Sequence, residues 1–360
     1  MQSVIVKKNE AGQRLDKFLR KLMPTAGTGF LYKMLRKKNI TLNGKRAEGG
    51  EIVAQGDTLS FFFSPETFAK MTGSTEASED RGRETKLPFS RNSAAEYIRA
   101  YRTLLKYGIS VLYEDDDILI ADKPAGVLSQ KATETDCSLN EWLIGYLLDK
   151  GCLSPEELRT FKPSVCNRLD RNTSGIVLCG KSLAGSQYLS RCIREKRIQK
   201  IYRTVCAGEI NEEITLRGYL EKDSVKNKVQ INLKTSSGER AFKAGTVLKG
   251  KTRQDYIETV CRPLAVSGGF TLLEVNLITG KTHQIRAHLA SIGHPLIGDA
   301  KYGDSRVNQY FREKFGLQYQ LLHAYRAELP DPDEPEKRKI ILAPYPRIFL
   351  KITDALGLGS

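Results

Sequence analysis

Cys166-Asn167-Arg168-Leu169-Asp170-Arg171-Asn172-Thr173-Ser174-Gly175 is the stretch on which the reading of this chain turns. A carboxylate stands between two arginines, and a Thr-Ser-Gly turn then feeds the apolar run Ile176-Val177-Leu178-Cys179-Gly180, which predicts a strand. Turns held by strands are where catalytic groups tend to sit. Flanking cations favour the ionised form of Asp170, and an ionised, positioned carboxylate can act as a nucleophile. Taken alone, the segment reads more readily as a structural aspartate capping its own turn.

The neighbourhood is a mixture of strands and helices. Upstream, VLYED (111–115) and ILIAD (118–122) predict strands, the second ending in a Lys123-Pro124-Ala125-Gly126 turn. Residues 138–151 predict an apolar-faced helix closed by Gly151. Downstream, a helix over 183–198 leads into a strand beginning near Lys200. Another strand is expected over 271–277, and a further helix begins near Lys281. Strands outnumber helices and several are joined by hairpin-length loops, so the expected class is α+β on a mixed, largely antiparallel sheet.

A second stretch decides between the catalytic and the structural reading of Asp170. It is Gly280-Lys281-Thr282-His283-Gln284-Ile285-Arg286-Ala287-His288-Leu289, followed by Gly293-His294-Pro295-Leu296-Ile297-Gly298-Asp299. Together with the Asp170 block, Lys200-Ile201-Tyr202 and Leu321-Leu322-His323-Ala324, it resembles the RNA pseudouridine synthases of the RluA, RluC and RluD type, in the family's order over about 110 to 325. The resemblance implies that Asp170 is the catalytic aspartate and that Arg168 displaces the target nucleotide from its stack. It implies that Tyr202 packs on the target base and is a candidate for proton transfer. Arg286 would pair with the catalytic carboxylate, and Leu322 would wall the uracil pocket; Thr173, in the same block, is placed among the base-binding residues.

Elementary chemistry agrees with these roles. A uridine inside structured RNA must be flipped, at a cost of a few kcal/mol. Stacking on a tyrosine returns roughly 1–3 kcal/mol without demanding sequence. Arg286 is expected to hold Asp170 bidentately. Asp170 can attack C1′, attack C6, or assist a glycal route, and these remain open. Many relatives carry His at the position of Asn167, so this chain lacks that imidazole.

The first 67 residues read as a separate unit. Through Lys70 there are 13 Lys and Arg against 6 Asp and Glu. Leu15, Phe18, Leu19 and Leu22 recur at helical spacing, 30–39 predicts a second helix, and Ile40 opens a strand toward an Asn43-Gly44 turn. Arg14-Leu15-Asp16, the basic second helix, 40–44 and Gly56-Asp57 resemble an S4 domain, which implies RNA docking through Arg14, Lys33, Arg36, Lys37 and Lys38. The competing reading is a solvated basic face. Residues 72–96 are polar and predict a flexible linker, longer than usual for the family, so the unit is expected to be loosely tethered. The expected division is therefore 1–67, a linker with a short helix over 68–108, and a catalytic domain over 109–350.

Composition bounds the partners. Net charge is +15 with a pI near 9.4, an excess that suits a polyanion. No signal-like or membrane-spanning apolar run occurs, and the 7 cysteines are odd in number with no CxxC pair, so a reducing cytoplasm is expected. The 4 histidines show neither helical zinc spacing nor HExxH and are expected at turns and on the surface; no metal is expected. The expectation is a cofactor-free monomer acting on RNA, ribosomal RNA above all. A non-catalytic RNA-binding factor and a base hydrolase are the alternatives. The Asp170, Tyr202 and Arg286 set speaks against the first. The lack in these motifs of a second carboxylate assigned as acid or base speaks against the other.

Overall fold

The computed structural model of the chain describes residues 2–73, 91–223, 228–233, 255–332, 334 and 336–359. At the N-terminal end, β1 (Gln2–Ile5), β2 (Ile40–Leu42), β3 (Lys45–Arg46) and β4 (Thr58–Phe61) form an antiparallel sheet in the order β1-β4-β2-β3. Asn43 and Gly44 both take positive φ, as a two-residue hairpin of this type requires. Helix α1 (Leu15–Leu22) lies where its spacing placed it, whereas α2 (Thr28–Arg36) begins two residues earlier than expected and ends before Lys37 and Lys38, the latter at φ 60. Leu15, Phe18, Leu19 and Leu22 are buried in a core of their own. Strand β1 and helix α3 (Pro65–Thr72) were not expected. Only four residues long, β1 offers too little alternation to stand out.

Most of the expected linker, 74–90, lies outside the described residues. Its end differs from expectation: α4 (Arg91–Leu105) is already helical over 91–96. The polar residues that suggested a loop belong to this helix, whose Ala94, Ala100 and Leu104 are buried. Helix α4 packs on α5 (Leu139–Asp149) so closely that a Cβ at Gly145 would lie 2.2 Å from the Tyr97 carbonyl oxygen.

The second sheet holds β5 (Ser110–Glu114), β6 (Ile118–Lys123), β7 (Ser164–Val165), β8 (Ser174–Gly180), β9 (Gln199–Ala207) and β10 (Ile214–Asp223). It continues with β11 (Lys228–Leu233), β12 (Asp255–Ser267), β13 (Phe270–Leu277), β14 (Leu322–Pro330) and β15 (Arg338–Leu342). The path runs β11-β10-β12-β13-β9-β14-β8-β6-β5, with β7 on β8 and β15 on β14. Among the described residues, every pairing of these strands is antiparallel except β14 with β8. At that junction Gly175, at φ 109, faces Ala324, and a Cβ there would come within 2.3 Å of the Ala324 carbonyl oxygen. Glycine alone fits.

Alternation along β9 places Tyr202 and Cys206 in the main core with α5 and α6 (Leu183–Arg194), while Val205 faces a smaller core with α8 (Ser305–Phe315) and α9 (Arg347–Ala355). The N-terminal unit also touches the larger one beyond the linker. In the turn Lys8–Glu10, the Lys8 ammonium meets Asp116 at 2.7 Å, and the buried Glu10 carboxylate accepts a hydrogen bond from the Thr160 hydroxyl. The loose tether expected from linker length is thus supplemented by direct contact.

Two of the histidines expected at the surface are fully buried. His288 shares a 2.8 Å hydrogen bond with the Thr259 hydroxyl, and His323 a 2.9 Å one with Ser174 across the β8/β14 junction. Burial lowers both pKa values to about 4. Their neutral forms belong to the folded state, so their contribution is complete above the unfolded value near 6.5 and is lost as pH falls toward 4. The loss is of order 2–4 kcal/mol for each. Asp122, raised to about 6 by its own burial, acts in the opposite sense over the same range, but it is one half-buried group against two fully buried ones. The urea midpoint should therefore fall between pH 7 and pH 5 at constant m-value, and less so in His288→Gln/His323→Gln. An equal fall in both proteins would assign the acid sensitivity elsewhere.

Candidate active site

Between β7 and β8 the chain makes the turn that carries Asp170. The Thr173 N–H donates to the Asp170 carbonyl, closing the turn. Asn167 works on the backbone: its Oδ1 accepts from the Leu178 N–H at 2.7 Å, fastening the approach to β8. From behind, the fully buried Lys123 donates to the carbonyls of Pro124, Val127 and Arg171. Burial lowers its pKa to about 7 against the pull of Asp170 and Asp122. Ser129 both donates to the Leu169 carbonyl and accepts from the Leu169 N–H, at 2.9 and 3.0 Å. The end of β6 and the short segment after it therefore grip this turn on both sides of Asp170.

The flanking arginines do not pair with the carboxylate. Arg168 is exposed, and the Arg171 Nε donates to the Gly126 carbonyl at 3.1 Å. Successive side chains of a turn diverge, so adjacency in sequence did not become contact. The cation at Asp170 comes from 116 positions away: Arg286 Nη1 donates to Asp170 Oδ2 at 2.8 Å. Arg286 sits on the first turn of α7 (Gln284–Ser291). Its bidentate pairing is with Asp299, through Nε to Oδ2 at 2.7 Å and Nη2 to Oδ1 at 2.9 Å, and not with Asp170 as the sequence suggested. Only one edge of the guanidinium remains for the Asp170 turn.

Asp299 is fully buried. Burial pushes its pKa up, but Arg286 and the N–H groups of Lys301 and Tyr302 outweigh this and hold it low. Arg286 is likewise disfavoured by burial, yet its two carboxylates raise its pKa. Both groups are charged at any physiological pH.

Arg168, Thr173, Tyr202 and Leu322 line the same cleft, a cavity of about 650 Å³. Tyr202 is buried to 5% exposure, and burial together with the charge of Asp170 raises its pKa, so its hydroxyl keeps its proton. Leu322 opens β14 beside Thr204 and forms an apolar wall. Thr173 is buried, and its hydroxyl accepts from Gln320 at 3.2 Å. Lys33, Arg36, Lys37 and Lys38 are exposed on and after α2, on the other sheet's unit, where Arg14 is paired with Asp16 at 3.1 Å. Asp16 also takes Arg20, so the R-L-D pattern builds a local ion cluster.

Sequence reasoning assigned no role to Lys123, Ser129, Asp299, Tyr302 or His283. His283 stands at φ 56 ahead of α7, with its Nδ1 hydrogen-bonded to the Tyr302 hydroxyl at 3.0 Å and its Nε2 3.8 Å from Asp170 Oδ2. Burial, opposed by Asp170, lowers its pKa. A left-handed non-glycine residue at a cleft is a mark of imposed strain, which no sequence pattern displays. Asp299 had a signal: an acid closing a Gly-Asp turn 13 residues after an arginine that needs partners.

Among the described residues, no three His, Cys, Asp or Glu side chains are grouped to hold a metal ion, and no helix is long and apolar enough to cross a membrane. The arrangement is a carboxylate with one oxygen held and one open, sharing an apolar-walled cleft with a protonated tyrosine.

Comparison with known proteins agrees with this geometry. Residues 117–291 match the family described as RNA pseudouridylate synthase. The ribosomal large subunit pseudouridine synthase C of Vibrio vulnificus is 30% identical over 362 residues, covering 99% of this chain and 96% of that one. Its counterpart in Vibrio cholerae is 28% identical over 346 residues, covering 94% and 92%. Among solved structures, human RNA Pseudouridylate Synthase Domain Containing 4 superposes with a TM-score of 0.55 at 18% identity, covering 74% of this chain and 98% of that chain. A relative 30% identical along nearly its whole length, and a family match across most of the segments that build the cleft, establish that the chain belongs to the RNA pseudouridylate synthases and is an RNA pseudouridine synthase.

Proposed function

We propose that this enzyme isomerises uridine in large-subunit ribosomal RNA, as a cytoplasmic monomer without a cofactor, with Asp170 as nucleophile. The activity for which the Vibrio relatives are named supports the choice of RNA. The observation that carries the catalytic assignment is the asymmetry of the carboxylate. Oδ2 is engaged by Arg286, whereas Oδ1 has no partner among the described residues. Attack on C1′, addition at C6 and proton removal toward a glycal all start from such an oxygen.

The overall change is an isomerisation. The N1–C1′ bond breaks, the C5–C1′ bond forms, the proton on C5 leaves and N1 acquires one. Arg286, fixed by Asp299, keeps Asp170 oriented while the uracil turns. Tyr202 offers a ring for stacking and an O–H that stays protonated, suited to hydrogen bonding with the detached base. Exposed Arg168 is free to displace the target nucleotide and fill the stack it vacates. Residues 1–67 form the S4-like docking module and 109–350 the catalytic domain, a division supported by the separate sheets and cores.

Asp170→Asn should lower single-turnover pseudouridine formation on large-subunit RNA by at least about a thousandfold, with fold and RNA affinity retained. Residual activity above that level, with deamidation excluded by mass spectrometry, would remove Asp170 from the nucleophile role.

Asp299→Asn removes the charged bidentate partner of Arg286 with little change of shape. Turnover at saturating RNA should fall about 10- to 100-fold, with RNA affinity within about threefold, as Asp299 is buried away from the ligand. A loss confined to affinity would place Asp299 in RNA binding instead.

Deleting residues 1–73 should weaken binding to long RNA and flatten log affinity against log salt by roughly 0.7–0.9 for each phosphate no longer bound. Turnover at saturation should change much less, because Asp170, Tyr202 and Arg286 belong to the other unit. An unchanged slope would mean that the basic surface of α2 is only solvated.

A further inference from the structure

The cations around the cleft differ in what holds them. Arg286 is committed to Asp299 and Asp170, the Lys281 ammonium lies 3.1 Å from Asp255, and Arg171 donates to Gly126. Arg168 is exposed. Lys200 is the exception: it is half-buried, lines the cleft, and has neither hydrogen bond nor ion pair among the described residues. Its ammonium lies against Gly280, where a Cβ would stand 3.5 Å from Nζ. The glycine turn thus leaves the nitrogen unscreened by a side chain.

Lys200 precedes Tyr202 by two residues on β9, so both project from the same face, roughly 6–7 Å apart along the strand. Tyr202 is at the buried end and Lys200 nearer the rim. A uracil on Tyr202 with its sugar at Asp170 leaves the nucleotide's backbone to exit past the rim. A half-buried, unpaired ammonium gives the free protein no stabilisation; desolvation works against it, and burial lowers its pKa. The cost is recovered only when an anion arrives, and a compact ammonium suits a phosphate as a point charge.

We propose that Lys200 is a subsite for one RNA backbone phosphate adjacent to the flipped uridine, so that it sets the depth to which the target nucleotide enters the cleft. This rests on the pseudouridine reading above, and deepens it by naming the backbone contact inside the catalytic cleft, separate from any docking by the N-terminal unit. Lys200 is a binding residue and takes no part in bond making.

The test compares wild type with Lys200→Met, which keeps most of the length of the side chain and removes its charge. The thermal midpoint should be unchanged or higher, since an unpaired charge has been taken from a half-buried position; a clear drop would make Lys200 structural and overturn the proposal. On transcribed large-subunit RNA, Lys200→Met should bind about tenfold more weakly, with its salt slope shallower by about 0.7, one phosphate on a single strand. The decisive measurement uses a hairpin RNA with an all-uridine loop, in which each loop phosphate is replaced in turn by neutral methylphosphonate. At one position wild type should lose about as much affinity as the lysine change costs, while Lys200→Met should be indifferent there. If every position affects both proteins equally, Lys200 does not hold a phosphate. Binding alone decides this. A wild type that binds but forms no pseudouridine in large-subunit RNA would count against the ribosomal substrate and leave the Lys200 result standing.

Discussion

One guanidinium between two carboxylates organises this cleft. Arg286 spends Nε and Nη2 on buried Asp299 and has Nη1 left for Asp170. The fork geometry of arginine makes the first pairing planar and fixed, and that fixes where the third nitrogen points. The guanidinium carbon lies 5.2 Å from the Tyr302 ring centre, which further limits its freedom. A buried ion pair contributes little net stability, but removing one member leaves the other stranded at a cost of several kcal/mol. Its value here is orientational: a lysine could supply the charge but not the direction.

The carboxylate is held from the opposite side by a different kind of contact. Lys123 and Ser129 bind backbone atoms on either side of Asp170, and Thr173 closes the turn onto the Asp170 carbonyl. The side chain of Asp170 is thereby left with Arg286 as its hydrogen-bonding partner. Rigidity is delivered through the main chain, and one side-chain oxygen is left without a partner in an otherwise satisfied loop.

Which of these features could be read along the chain follows from their range. Helices α1, α2 and α5 and strands β6 and β8 show in the periodicity or apolar runs of their own residues, because burial imposes local spacing. That Asp170, Tyr202, Arg286 and Leu322 come together in one cleft was legible through the company they keep in short motifs. Partner choice was not: that Arg286 turns two nitrogens to Asp299, or that Arg171 folds back to Gly126, depends on side-chain directions set by distant segments. The burial of His288 and His323 was missed for a related reason. A histidine carries no sign in its own neighbourhood that its hydroxyl partner lies on a distant strand. The helical stretch at the start of α4 was hidden by its own polar residues.

The one parallel strand pairing among the described residues of the large sheet joins distant parts of the chain: Ser174 and His323, linked across β8 and β14, are 149 positions apart. Contacts of such separation carry a higher loop-closure cost than local ones, and topologies rich in them fold more slowly. Synthesis delivers the chain from its N-terminus, so Asp170 and Arg286 both leave the ribosome before β14 exists to bring Leu322 into place. Until then Leu322 is missing from the lining that Asp170 and Tyr202 share. The topology therefore ties completion of the cleft to completion of the polypeptide: its paired charges are synthesised before the strand that adds Leu322 to the lining.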